Sequence, residues 1–235
     1  MPTGQRFWLL RSLRRKTRGA RFERFKAFVA ELRAASGRNN DVLRVLDLGG
    51  TKLFWESWWK ITPEDGIHVT LLNDYKLHDN EKQWHTSGSL IDNVCKDATT
   101  LTKADLSEYD LIFANSFLEH LRSREAQKAL ADIISNSGMP FFIQVPNKFS
   151  PIDPHRPYLP FFALYPSIIR SRIGPGPGSK ILENGKRWKM DYNPLSVGDM
   201  KRLFPTAQFK VEKPLGVPMS ILAYRGATAA KPIPA

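Results

Sequence analysis

The stretch "VLRVLDLGGTKLFW", residues 42–55, decides the fold. An apolar run, Val42–Leu48, carries an acid, Asp47, close to its end; a glycine pair follows, and the chain then turns aromatic at Phe54 and Trp55. A run this short, rich in leucine and valine, predicts a strand buried on both faces of a sheet. Gly49 and Gly50 predict a turn in which backbone comes close to something a Cβ would repel. The pair alone fits an ordinary tight turn as well as the mouth of a ligand site.

Reading outward, four more runs have the same character: 66–74 (GIHVTLLND), 92–98 (DNVCKDA), 109–116 (YDLIFANS) and 139–147 (MPFFIQVPN), the last stopped by Pro146. Between the last two, Ala126, Leu130, Ile133 and Ile134 repeat at helical spacing. Strands alternating with helical stretches predict a parallel sheet with crossover helices. Residues 196–205 read as a further helix, and 207–225 as two closing strands. After Pro146 the texture changes: six prolines fall within 146–166, and GPGPG follows at 174–178. That is the composition of an ordered, aromatic-rich insertion rather than a flexible linker.

Residues 1–38 hold eleven Arg and Lys against Glu23 and Glu31, an excess of nine out of a net charge of +12. Phe22, Phe25, Phe28, Val29 and Leu32 recur there at helical spacing, so 6–35 reads as one or two helices with a joint at Gly19. A hydrophobic fraction of 42% excludes a disordered chain. No segment reaches the ~18 apolar residues of a membrane span, and "FWLL" is too short for a secretory signal. The single cysteine, Cys95, excludes an internal disulfide and reads as a small buried strand residue. The expectation is a soluble, cytoplasmic chain in three parts: a basic helical extension (1–38), one α/β domain (39–226) containing the insertion 147–194, and a frayed tail (227–235).

Ligands of open α/β sheets sit beyond the carboxyl ends of the strands. Asp47, Gly49 and Gly50 follow the first strand here, Asn73 and Asp74 the second, Asp97 and Ala98 the third. Asn115, Ser116, Glu119 and His120 follow the fourth, and Asn147 the fifth. Five polar ends in succession predict a cleft. The glycines match neither G-x-G-x-x-G nor the phosphate-cradling G-x-x-x-x-G-K-[ST] loop.

The combination of VLDLGGT, VTLLND, CKDATTL, YDLIFANSFLEHL and FFIQVPN resembles the class I S-adenosylmethionine-dependent methyltransferase family over roughly residues 40–147, with the closing strands at 207–225. The "PN…PH…LPF…P" segment further resembles that family's small-molecule enzymes, in which such an insertion covers the acceptor pocket. The resemblance implies a Rossmann-like, seven-stranded, mostly parallel sheet with helices on both faces and a proline-rich lid. It implies S-adenosylmethionine as cofactor, with Asp47, Gly49 and Gly50 along its methionine part and Asn73 or Asp74 on the ribose. Asp97 and Ala98 would meet the adenine, while Asn115, Ser116 and Phe117 would face the cofactor beside the acceptor. Thr51 replaces the family's third loop glycine, and Asn73 offers an amide where a carboxylate is usual.

For a hydroxyl acceptor, the candidate base is His155, with Asp153 to orient it, because an imidazole titrates near neutrality. His155 packing as a plain loop residue is an equal alternative. His120 reads as a brace after the fourth strand, and His68, His78 and His85 as surface residues. No two histidines have metal-ligand spacing, and no metal is expected. Asn147, Arg156, Tyr158 and Phe161 are candidate acceptor contacts, although Tyr158, Phe161, Phe162 and Tyr165 also fit one packed helical face. Phe54, Trp55, Trp58 and Trp59 read as packing beneath the glycine loop.

The favoured function is O-methylation of a hydroxyl or acid on a small sugar, lipid-linked or secondary-metabolite acceptor. The basic residues of the insertion leave an anionic acceptor open, but read first as a solvated rim. Two others stay open. A nucleic-acid methyltransferase is disfavoured because "NSFLEH" lacks the Asn/Asp-Pro-Pro-aromatic loop. A non-catalytic scaffold would use residues 6–33 as a peripheral contact with an anionic membrane or a partner. The same helix also reads as a lid docking on the cofactor cleft, and lid or membrane contact is favoured over nucleic acid.

Overall fold

The computed structural model describes residues 3–37, 41–74, 90–154, 156, 159–172 and 192–226, with side chains described except at 3–16, 171 and 172. Seven strands form one sheet: β1 (Leu43–Leu48), β2 (Ile67–Asn73), β3 (Ile91–Cys95), β4 (Leu111–Asn115), β5 (Phe141–Pro146), β6 (Gln208–Glu212) and β7 (Ser220–Arg225). Their order is β3-β2-β1-β4-β5-β7-β6. β1 to β5 run parallel, whereas β7 is antiparallel to both β5 and β6. The chain leaves β1 toward one edge of the sheet through β2 and β3, then returns to β4 on β1's other side. The switch point therefore lies between β1 and β4, where open α/β sheets leave a crevice.

Strand alternation divides the core in two. Leu46, Leu48, Ile112, Ala114, Phe141 and Ile143 point to one face, packing with the helices Arg124–Asn136 and Val197–Leu203 through Leu130, Ile134 and Met200. Val45, Val69, Leu71, Phe113, Phe142 and Tyr224 point to the other. That second face is covered by helix α1 (Thr3–Ser36) and a π-helical turn, Phe54–Trp59. Phe25, Phe28, Val29 and Leu32 form the buried stripe of α1, and Phe25 meets Trp55, Trp59, Phe113 and Phe142 at ring separations of 5.2–5.8 Å. The second half of the basic segment is thus part of the core.

Three local expectations fail. α1 runs through Gly19 without a joint, because a glycine inside a helix costs only about 1 kcal/mol, which the docked stripe outweighs. Cys95 is exposed, because β3 is an edge strand whose outer end leaves the core. Phe161, Phe162 and Tyr165 share no helical face: Phe161 is left-handed (φ 53°) and 46% exposed, Phe162–Leu164 is a single 3₁₀ turn, and Tyr165 is extended. Tyr158 lies outside the described residues. No helix among the described residues is long and apolar enough to cross a membrane.

Candidate active-site cleft

The inward rows of the sheet on the α1 side change character at the carboxyl ends. Phe113 and Phe142 are followed two residues later by Asn115 and Gln144, which pair across β4 and β5. Asp47 stands level with Leu71 and Phe113, and Asn73 lies one inward position beyond Leu71. Ser220 opens β7 beside Pro146 and Glu212. A polar rim therefore caps an aromatic floor, and a cleft of about 330 Å³ opens over it. Its walls include Asp47, Gly49, Gly50, Thr51, Asn115, Ser116, Gln144 and Ser220, with Phe54 and Trp58 from the π-helical turn and Thr17, Arg18 and Arg21 from α1.

The glycine turn is held tightly. Gly49 has φ +70°, and a Cβ there would fall 2.2 Å from the Phe117 ring; a Cβ on Gly50 would fall 1.9 Å from Asp47 Oδ2. Glycine is thus required by the protein's own atoms, with Phe117 as a support behind the loop. The Asn73 amide donates to the Gly50 carbonyl at 3.2 Å and braces the same turn from β2. Asp47 is buried and accepts a hydrogen bond from Trp55 Nε1 at 2.6 Å. Its Oδ1 meets no partner among the described residues. Burial pushes its pKa up to about 8, against the lowering effect of the Trp55 bond.

Arg21 organises the opposite wall. Its Nε and NH2 group donate to Glu212, NH2 also to Ser220 Oγ at 3.2 Å, and NH1 to Asn115 Oδ1 at 2.6 Å and Gln144 Oε1 at 3.1 Å. Arg24 donates to the same carboxylate at 3.2 Å. Burial alone would raise the Glu212 pKa, but the two arginines and Ser220 hold it below its usual value. Ser116 takes the left-handed region (φ 57°) straight after β4 and donates from Oγ to Gln144 Oε1 at 3.2 Å. Such a conformation costs on the order of 1–3 kcal/mol and recurs at functional sites.

Of the expected cofactor residues, Asp47, Gly49, Gly50, Asn115 and Ser116 line the cleft together. Asn73, Asp74, Asp97 and Ala98 lie at the neighbouring ends of β2 and β3, outside its lining. Asp97 caps a 3₁₀ turn, accepting from Thr99 N at 2.8 Å, and Ala98 is buried. Of the acceptor candidates, Asn147 is spent on the backbone, donating to Pro218 O at 3.0 Å and accepting from Phe149 N at 3.1 Å. Arg156 is half-buried, and neither it nor Phe161 lines the cleft.

His155, His78 and His85 lie outside the described residues. Asp153, 2% exposed, accepts from the Tyr192 hydroxyl, whose pKa is raised by burial and by that carboxylate. His120 sits beside the same group, 6.1 Å from the Tyr192 ring and 3.7 Å from Glu119. His68 lies 3.4 Å from Asp92 on the rim of the sheet.

Arg18, Arg21, Gln144 and Ser220 went unread in the sequence, and Trp58, expected to pack beneath the glycine loop, is exposed at the cleft instead. Arg21 left one signal: it precedes Phe25 and Phe28 by four and seven residues, so the helical stripe puts an arginine on the buried face.

No family model matches this sequence, and no curated protein matches it. Solved structures that resemble it include an S-adenosylmethionine dependent methyltransferase from Mesorhizobium loti (16% identity, 79% of this chain and 91% of that one, TM-score 0.48). Others are the 1,6-didemethyltoxoflavin-N1-methyltransferase of Burkholderia thailandensis (16% identity, 83% and 74%, 0.45) and the CcbJ methyltransferase of Streptomyces caelestis (14% identity, 88% and 90%, 0.48). Likeness of this degree carries neither activity nor substrate from those proteins to this one.

Proposed function

We propose that this chain is an S-adenosylmethionine-dependent methyltransferase acting on a small-molecule acceptor. The observation that carries the reading is the place and chemistry of the cleft. It opens at the β1/β4 switch point, against a glycine turn and a buried carboxylate whose Oδ1 meets no partner among the described residues. A buried acceptor of this kind suits a cation, and the cofactor brings an ammonium and a sulfonium. Asp47, Gly49 and Gly50 would hold its methionine part. Asn73 or Asp74 would take the ribose, and Asp97 with Ala98 the adenine, over the ends of β2 and β3. When bound, the cofactor would supply an electrophilic methyl group for an acceptor nucleophile, with its thioether as the leaving group. The protein's part is then alignment and, for a hydroxyl, removal of its proton.

O-methylation of a sugar, lipid-linked or secondary-metabolite acceptor is the finer reading, with His155 as base and Asp153 fixing its loop. Calorimetric titration with S-adenosylmethionine and S-adenosylhomocysteine tests the assignment. One site of about micromolar affinity is expected, and absence of binding by both ligands overturns it.

A further inference from the structure

The adenosine contacts proposed above lie toward β2 and β3, so the acceptor has the other half of the cleft, over β4, β5 and β7. That half is walled by Gln144, Pro146, Pro154, Met219 and Ser220 and roofed by Thr17, Arg18 and Arg21. Arg21 carries donors only, so the side chains it touches must present oxygen to it. Asn115 Oδ1 and Gln144 Oε1 both do so. Their orientation is dictated by chemistry, and both amide NH2 groups are turned away from the arginine. Neither NH2 group donates to another described residue. Arg18 adds a guanidinium 3.7 Å over the Trp58 ring at the mouth.

The charges point the same way. Arg21 and Arg24 share the single carboxylate of Glu212, which leaves one positive charge in excess beneath Arg18. Among the described residues, the one carboxylate in the lining, Asp47, belongs to the cofactor half. A low-dielectric cleft lined by donors and unbalanced positive charge concentrates anions, and guanidinium groups match carboxylate and phosphate oxygens.

Resting on the methyltransferase reading, we infer that the acceptor is an anion, whose carboxylate or phosphate docks on the amide NH2 groups of Gln144 and Asn115. Arg21 is a positioning residue: its five donors are committed, and it acts by fixing the two amides. Phe54, Trp58, Pro146, Pro154 and Met219 leave room for an aryl or alkyl body beside the charge.

The test uses the full chain saturated with S-adenosylhomocysteine and titrated with benzoate, phenyl phosphate, benzyl alcohol and benzylamine. Benzoate or phenyl phosphate should bind about tenfold or more tightly than the uncharged and cationic probes, as expected for charged hydrogen bonds. Whichever anion binds more tightly identifies the docking group. Gln144→Glu keeps an oxygen for Arg21, removes the NH2 donors and adds a repelling charge. It should abolish the anion preference while S-adenosylhomocysteine still binds. Arg21→Lys, which cannot reach both amides, should reduce the preference. Anions that bind no better than benzyl alcohol overturn the inference, as does a preference that survives Gln144→Glu. If S-adenosylhomocysteine itself does not bind, the same titrations on the free protein decide the anion site. Selective benzoate binding lost in Gln144→Glu would then uphold it and sink the methyltransferase reading alone.

Discussion

Replacing Asp47 by asparagine tests the centre of the site, because it separates what the residue costs the fold from what it does for a ligand. Asp47 is 1% exposed, and its pKa stands near 8 against an ordinary 3.8. The folded-state value lies above the unfolded one, so the contribution of this group to stability is full below the ordinary carboxylate range. It is lost progressively as pH rises through about 8. At 1.36 kcal/mol per unit the whole shift corresponds to at most about 6 kcal/mol. Asparagine keeps an oxygen for the Trp55 indole and never ionises. The variant should therefore match the wild type near pH 4 and become progressively more stable up to pH 8, with a gap in Tm approaching about 12–24 °C at 2–4 °C per kcal/mol.

Cofactor binding should move oppositely. An ammonium near Asp47 requires the carboxylate, so wild-type affinity should rise with pH up to about 8 by as much as about tenfold per unit, with proton release on binding. The Asp47→Asn variant should bind S-adenosylmethionine weakly and without this pH dependence, so that the gap to the wild type widens as pH rises to about 8. Differential scanning fluorimetry from pH 4 to 9 and calorimetry in buffers of different ionisation enthalpy read both effects. A Tm gap that is constant with pH, or a wild-type affinity that is flat from pH 6 to 9, would refute the reasoning.

Gly50→Ala drives a Cβ to 1.9 Å from Asp47 Oδ2 and 2.9 Å from Leu71; a loss of about 1–3 kcal/mol is expected in urea unfolding, and an unchanged midpoint would contradict this account of the turn. Glu212→Gln leaves Arg21 charged and buried without its carboxylate, which should cost about 3–5 kcal/mol, so wild-type stability in the variant removes the network's importance. Asp97→Ala should weaken S-adenosylmethionine binding by about tenfold through a lost charged hydrogen bond, and equal affinity would remove Asp97 from the adenine site. His155→Ala should slow methyl transfer with cofactor binding intact; unchanged turnover eliminates it as the base.

The sheet was legible because parallel strands buried on both faces leave unbroken apolar runs that end in polar residues. The run read at 66–74 is Ile67–Asn73 in the structure, and that at 139–147 is Phe141–Pro146. The edge strand was the weak case. Its five residues are covered mainly at Ile91, and the outward end is where Cys95 is exposed. The aromatic repeat at 158–165 misled because periodicity assumes helical backbone, while Phe161 takes a left-handed conformation that breaks the period. In the cleft, residues that follow strands in sequence were readable, since the fold itself puts strand ends at the crevice.

What the chain order hid is the wall built by α1 and the antiparallel pair. Arg21 is separated by 191 residues from Glu212 and by 123 from Gln144. No local pattern links an arginine in a basic helix to a carboxylate at the end of β6. The surplus of basic residues in the first 38 positions invited an explanation by an outside partner, membrane or nucleic acid, as well as by a lid over the cleft. At 18, 21 and 24 the structure gives it an inside one. Arg18 closes over Trp58, while Arg21 and Arg24 converge on Glu212. A buried ion pair is poor evidence of stability, so the arrangement is better understood through what it orients. Without Arg21, the Gln144 amide could present either end to the cleft; with it, only the donors face inward. The selectivity of the acceptor half thus depends on a residue that need not touch the acceptor. An arginine on the apolar stripe of a helix is the sequence feature that announces such a role.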